Sequence, residues 1–410
     1  MSTESHSAES TPVPGGVTAP AGFLASGVAA GLKRNGALDV ALVTAQNGPV
    51  PAAAVFTTNT VAAAPVVVSR RHICSGQVSA VVINAGNANA CTGALGLADA
   101  ERTAEVLAGL LGVSSDDVVV SSTGVIGVPL PIDTLLDALP ASVEALSSTG
   151  GGEAAGAIMT TDTFAKECAV RVEAAGRVFD VGGMAKGSGM IAPNMATMLS
   201  VITTDAPLTR EACDAALRAA VATTFNRVTV DSDTSTNDMV VLMASGAEGG
   251  ESVGVGTPEY AAVADAIHEV CERLAKMIAR DGEGATKLIT VNVEGAASDA
   301  DAQLAAFAIA DSPLVKTAVF GRDANWGRVA MAIGKSGCEL DPDAFDIRFA
   351  GIEVCWSGTA LAFDEDAALE GLSKPDVSID VNLNLRDGRA TVWTCDLTYD
   401  YVRINGDYRT

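Results

Sequence analysis

Beyond a polar start, apolar positions along this chain follow two periods, and the changes between them mark out strands and helices. Short runs rich in Val, Ile and Ala at 39–44, 53–57, 65–69 and 78–83 have strand character. Residues 94–111 place apolar side chains at helical spacing, with Asp99, Glu101 and Arg102 on the other face, and 131–146 has the same pattern. A short apolar strand at 118–120 feeds the loop SSTGVIG (121–127). Two Gly-rich breaks follow, SSTGGGE (147–153) and VGGMAKGSGMIAPNMA (181–196). After the second, TMLSVIT (197–203) predicts a strand and 208–223 a helix opened by Thr209 and Glu211. Met239–Ala244 is an expected buried strand, Pro258–Arg280 a long amphipathic helix, 288–293 a strand and Asp299–Ala310 a helix. The stretch 345–401 alternates as strands do. This mixture, with no fixed repeat, predicts an α/β or α+β protein.

Composition narrows the picture. The chain has 410 residues, 48% of them hydrophobic and only 4% aromatic, so its interior must be built from Ala, Val, Leu and Ile. A length of this size buries an ample core without disulfides or metals. The net charge of -24 argues against nucleic acid or an anionic membrane as partner. Cysteines stand at 74, 91, 168, 213, 271, 338, 355 and 395, with no C-x-x-C pair, and are expected to be buried free thiols in a reducing compartment. Residues 1–15 read as a flexible acidic leader with neither the charge nor the apolar run of a signal peptide. No apolar run reaches the roughly 18 residues of a membrane span. The expected location is the cytoplasm.

Histidine is scarce. His6 lies in the leader, His72 beside two arginines and His268 inside the amphipathic helix, so neither a Ser-His-Asp nor a Cys-His site is expected, and no zinc spacing exists. GSGMIA (187–192) imitates a dinucleotide fingerprint, but Pro193 and the strand after it leave no helix to hold a pyrophosphate. KGS (186–188) has Lys and Gly in the wrong order for a P-loop. DSDTSTND (231–238) begins like a calcium loop, yet Thr236 replaces the required Gly and Leu242 stands at the bidentate Glu position. No metal is expected.

Nucleophilic chemistry without histidine remains open at the second Gly-rich break. Thr197 follows a pliable, Pro-stiffened loop and opens an apolar strand. Attack of its hydroxyl on the Ala196 carbonyl, an N-to-O acyl shift and hydrolysis of the ester would cut the chain before Thr197. The freed α-amine, with a reference pKa of about 7.7 to 8.0, can then take the proton of its own hydroxyl. A tetrahedral intermediate needs donors, and Thr123 with the Gly124 N–H, in the loop after strand 118–120, are candidates. On spacing alone, the plain reading comes first for both: a Gly-rich turn before a core strand at Thr197, and a simple turn at 121–127.

The segment KGSGMIAPNMATML (186–199) resembles the signature of the glutamate N-acetyltransferase family, also called ornithine acetyltransferase or ArgJ. Similar motifs continue in order: GVTAPAGF (16–23), FTTNTVAAAPV (56–66), NAGNANACTG (84–93), STGVIG (122–127), IMTTDT (158–163), STND (235–238), EGATK (283–287), DSPLVKTAVFGRDANWGR (311–328) and YVRINGDYRT (401–410). Ala324 and Gly406 depart from the family pattern, at positions that bear on loop stiffness more than chemistry.

The resemblance implies a fold of mixed β-sheets sandwiched between helical layers. It also implies autocatalytic cleavage at Ala196–Thr197 into an α chain (16–196, after the leader 1–15) and a β chain (197–410), associated as α2β2. The implied activity belongs to arginine biosynthesis: N2-acetyl-L-ornithine donates its acetyl group to L-glutamate, by a ping-pong route through acetyl-Thr197. Thr197 would be the nucleophile, Thr123 and Gly124 the oxyanion hole, and Thr160, Lys186, Thr197, Glu283, Asn405 and Thr410 the substrate contacts. Lys186 suits an α-carboxylate and Glu283 an ammonium group. No cofactor is implied, although acetyl-CoA is a candidate second acetyl donor. The rival readings are a related self-processed aminopeptidase or amidase, an uncleaved small-molecule binding protein and, weakest, a nucleotide-binding kinase.

Overall fold

The computed structural model describes residues 10–192 and 198–407. Its strands are, in chain order, β1 (Thr11–Val13), β2 (Phe23–Val28), β3 (Val40–Ala45), β4 (Val50–Phe56), β5 (Gln77–Val78) and β6 (Ala80–Asn87). Then come β7 (Val118–Val125), β8 (Lys166–Ala174), β9 (Arg177–Lys186), β10 (Leu199–Thr204), β11 (Met239–Ala244) and β12 (Leu288–Ala296). The last are β13 (Asp346–Phe349), β14 (Ile352–Trp356), β15 (Thr359–Ala360), β16 (Asp376–Asn382) and β17 (Gly388–Cys395).

These strands form three sheets, ordered β1-β8-β9-β10-β11-β4-β5, β2-β3-β6-β7 and β15-β14-β13-β16-β12-β17. The first two pack face to face. Phe23, Val43, Val81, Ile83 and Val119 of one meet Met184, Leu199, Val201, Val241 and Met243 of the other in a shared core. Helices Arg210–Thr223 and Pro258–Arg280 cover the outer face of the larger sheet. Helices Gly93–Leu111 and Ile132–Glu144 cover the outer face of the smaller. The result is a four-layer α-β-β-α sandwich. The third sheet has its own core against helices Asp299–Ala310, Pro313–Phe320, Trp326–Gly334 and Glu365–Leu372.

Central β10 and β11 are buried along their whole length, which is why they read as unbroken apolar runs rather than alternating ones. Helix Pro258–Arg280 starts where its sequence says it should. The Thr257 hydroxyl accepts from the Tyr260 N–H, Pro258 opens the first turn, and Val263, Ile267, Val270, Leu274 and Ile278 form the buried stripe.

Several expectations fail for identifiable reasons. Residues 65–69, strand-like by composition, lie in helix Ala64–His72: Pro65 sits in its first turn, and Ser69 exchanges hydrogen bonds with Val120 N and O of β7. VGGMAK (181–186) is not a break but the end of β9. Its glycines serve close packing: a Cβ on Gly182 would stand 1.9 Å from the Gly16 carbonyl oxygen, and one on Gly183 would stand 2.7 Å from Ile202 Cδ1. Thr11–Val13, assigned to the leader, pair with β8. Cys74 and Cys91 are exposed, although all eight thiols are free as expected.

Candidate active site

Strand β10 lies antiparallel to β9 and parallel to β11, with Leu199 opposite both Lys186 and Met239. The entry to β10 is therefore flanked by Lys186 on one neighbour and by Asp238, just ahead of Met239, on the other. The Met198 N–H donates to Asp238 Oδ1 at 2.9 Å. Ala196 and Thr197, the expected cleavage pair, lie outside the described residues, as does Thr410.

The other expected site residues converge. Thr123, Gly124, Thr160, Lys186, Glu283 and Asn405 line one cavity of about 170 Å³, together with Ala88, Met190, Ser235 and Asn237. Wider clefts at Arg71 and Glu101, and at Arg210 and Asp214, carry exposed and half-buried charged side chains and share no residue with this cavity.

Thr123 and Gly124 lie in β7, which continues through SSTGV instead of giving way to a loop at 121. Gly124 pairs with Gly86 at an irregularity of β6 and has φ 132. A Cβ there would stand 2.4 Å from the Gly86 carbonyl carbon, so only glycine fits. Polar side chains lock this corner. Asn237 Nδ2 donates to the Ala88 and Ser122 carbonyls (2.7 and 2.8 Å), and the Ser122 hydroxyl donates to Asn84 Oδ1 (2.6 Å).

Lys186 is 3% exposed. Burial pulls its ammonium below the usual lysine range; Asp162, Asp238 and Glu283 oppose that fall and Lys166 reinforces it. Asp162 binds three groups at once. Its Oδ1 accepts from Lys166 Nζ (2.8 Å) and the Gly187 N–H (2.7 Å), and its Oδ2 from the Thr160 N–H (2.8 Å). Burial opposes its ionisation, but Lys186, Lys166 and these hydrogen bonds prevail and hold the carboxyl well below the ordinary range. Lys166 also pairs with Asp281 at 2.5 Å. Asp238 is the contrary case. Burial pushes its carboxyl well up, against the Met198 N–H, Lys186 and the Ser235 side chain, which favour its charge.

Glu283 adds a further carboxylate to the lining. Its N–H donates to the Ser188 carbonyl at 2.9 Å, and its carboxylate accepts from Asn405 Nδ2 at 2.7 Å. Asn405 belongs to helix Tyr399–Asp407, so this helix packs against the cavity. The motif that imitates a calcium loop has another use here: Asp231 accepts from the Met190 and Ile191 N–H groups at 2.7 and 2.8 Å and shapes the cavity rim. Among the described residues no cluster of three or more His, Cys, Asp or Glu side chains is arranged to hold a metal ion.

A family model described as the ArgJ family matches residues 24–410. The chain belongs to the ArgJ family. The arginine biosynthesis bifunctional protein ArgJ of Symbiobacterium thermophilum is 53% identical over 398 residues, which are 97% of this chain and 99% of that protein. The crystal structure of the Bacillus halodurans arginine biosynthesis bifunctional protein argJ is 50% identical and covers 50% of this chain and 97% of its own, with a TM-score of 0.49. The structure of Mycobacterium tuberculosis ornithine acetyltransferase complexed with ornithine is 44% identical and covers 45% of this chain and 98% of its own, with a TM-score of 0.42. Thr123, Gly124, Lys186, Glu283 and Asn405 were legible as family motif positions, whereas Asp162, Lys166, Asp281 and Asp238 were not singled out. Asp162 lies within IMTTDT and Asp238 within STND, but nothing local reveals that they flank one lysine.

Proposed function

We propose that this ArgJ-family protein is an arginine-biosynthesis acetyltransferase that moves the acetyl group of N2-acetyl-L-ornithine to L-glutamate. The observation that carries the proposal is the meeting of Thr123, Gly124, Thr160, Lys186, Glu283 and Asn405, from distant segments, around one small cavity beside the entry to β10. The chain is cut between Ala196 and Thr197, and the freed Thr197 amine takes the proton of its own hydroxyl. The hydroxyl oxygen attacks the acetyl carbonyl, the Thr123 hydroxyl and Gly124 N–H hold the oxyanion, and ornithine leaves as the amine, taking the proton back. The glutamate amine then attacks acetyl-Thr197 by the reverse sequence. Lys186 receives the α-carboxylate, Glu283 the ornithine ammonium, and Thr160 and Thr410 complete the substrate contacts. Asn405, which can donate as well as accept, lets the same end of the cavity face the glutamate side chain.

No cofactor enters this scheme, because the threonine carries the acetyl group. Relatives are named bifunctional, and acetyl-CoA is the corresponding second donor proposed here. An α2β2 assembly in the cytoplasm completes the reading; among the described residues no helix is long and apolar enough to cross a membrane.

The test is release of ornithine from N-acetylornithine with and without glutamate, beside a parallel assay of acetyl-CoA with glutamate. Glutamate-dependent release, with two fragments by mass spectrometry, is the expected result. Glutamate-independent release would mark a hydrolase, and an intact Ala196–Thr197 bond in active protein would remove the mechanism.

A further inference from the structure

Among the groups around Lys186, Asp162 touches the most. Its side chain is wholly buried, and its two oxygens reach Thr160 N, at the end of the segment leading into β8, and Gly187 N, directly after β9. Thr160 and Lys186 both line the cavity, so one carboxylate fastens the backbone beside each. Hydrogen bonds from N–H groups to a charged acceptor are the strong kind, and a neutral amide could not reproduce all of them. Lys166, which is also completely buried, is shared between Asp162 and Asp281 and holds the carboxylate from behind. The Thr163 N–H donates to Asp281 at 3.0 Å and its hydroxyl bonds the same carboxylate, so the 160–163 segment is anchored twice.

Among the described residues, the charges facing Lys186 are Asp162 in the segment ahead of β8, Lys166 at the start of β8, Asp238 ahead of β11, Glu283 beyond helix Pro258–Arg280, and Lys33 after β2. Asp162 is the largest charged influence among them, ahead of Lys166. Asp238 is held toward its neutral form by burial, and Glu283 is engaged by Asn405. Lys166 and Lys33 oppose a cation at 186. The counter-charge therefore falls mainly to Asp162.

We infer that Asp162 is a positioning residue of the acetyl-transfer site, fixing the Thr160 and Gly187 backbones beside the cavity and supplying the counter-charge for the Lys186 ammonium. This rests on the proposal that Lys186 receives a substrate carboxylate.

The test is Asp162→Asn in the cleaved enzyme, assayed with N-acetylornithine at saturating glutamate across pH. KM rises about ten- to hundredfold while kcat changes less. The alkaline limb of kcat/KM moves to lower pH by about 1 to 3 units, because a lysine deprived of its counter-charge loses its proton earlier. Asp162→Glu keeps the charge and restores the limb, but its longer side chain leaves KM raised. Wild-type KM and an unmoved limb in D162N, even with lowered thermal stability, would overturn the inference. If D162N does not fold, D162E carries the test, because it keeps the charge while its longer side chain shifts the Thr160 and Gly187 backbones. A raised KM with the wild-type limb there supports the inference, and a wild-type KM overturns it. The two proposals fail differently: wild-type enzyme with no glutamate-dependent ornithine release sinks both, whereas active wild type with an indifferent D162N sinks only this one.

Discussion

Replacing Gly124 with Ala separates a backbone role in catalysis from a structural one. The new Cβ would stand 2.4 Å from the Gly86 carbonyl carbon and 2.6 Å from Asn87 N, about 1 Å inside ordinary contact. Both obstacles are backbone, so no side chain can swing away; β7 must retreat from β6. The left-handed φ of 132 adds conformational strain for any residue with a Cβ. Strain and overpacking cost about 1 to 3 kcal/mol each, which a protein of ordinary stability survives. A retreat of this size pulls the 124 N–H away from a developing oxyanion, and losing one such donor lowers kcat by about 10² to 10³.

The assay is ornithine release at saturating glutamate, normalised to cleaved enzyme by mass spectrometry because only a cleaved chain would carry the proposed nucleophile. Urea denaturation reports the structural cost separately. Gly127→Ala is the control. It also has a positive φ, 80, but its Cβ would meet nothing within 4 Å, so it should lose some stability and keep its kcat. Thr123→Val, which removes only the hydroxyl, should lose kcat on a similar scale without the clash. Folded, cleaved G124A with wild-type kcat would refute the assignment of the oxyanion donor.

Lys166→Met should destabilise by about 3 to 5 kcal/mol in denaturant titrations, because it strands the buried Asp162 and Asp281 carboxylates; adding Asp281→Asn should recover part of the loss. Asp205, 3% exposed, has its carboxyl pushed up to about 6, burial outweighing the N–H groups of Asp180 and Ala21 that favour its charge. Between pH about 4 and 6 the unfolded chain has lost a proton the folded one keeps, so this group makes stability fall as pH rises through that window, by up to about 3 kcal/mol. Asp205→Asn should remove that fall, measured as the wild-type-minus-variant stability at pH 4 and 7, and an unchanged difference would exclude it. Asn405→Ala should raise KM more than it lowers kcat, since Asn405 orients Glu283 at the cavity edge; equal loss of kcat and kcat/KM would place it in the chemical step instead.

What the sequence displayed and what it hid divide along a physical line. Met239–Ala244, Pro258–Arg280 and Asp299–Ala310 were legible to the residue, because their apolar periods and end signals are local. The β8–β9 hairpin was not. Its turn is Ala175-Gly176, both with left-handed φ, and lacks the Asn or Asp that usually advertises such a turn. Gly182 and Gly183 looked like loop residues because the backbone and side chains pressed against them come from residues 16, 202 and 270. The motif residues of the site could be named, but not the ionic support beneath them, since Lys166 and Asp281 are 115 positions apart and meet only through the fold.

The same topology bears on how a cut before Thr197 would leave the protein intact. In the larger sheet the strands on the C-terminal side of that bond, β10 and β11, lie between β9 and β4, which both precede it. Separating the halves would break the β9–β10 and β4–β11 ladders together, each along most of a strand. It would also open two cores. Phe179 and Val181 pack with Ile202 and Val270 on one side of the sheet, and Ile83 and Met184 with Val201 and Val241 on the other. A cut at this place breaks none of these ladders and exposes neither core. On the proposed mechanism the cut would therefore fall next to the entry of β10, which Lys186 and Asp238 flank from the two adjoining strands, and the sheet would hold both halves in register.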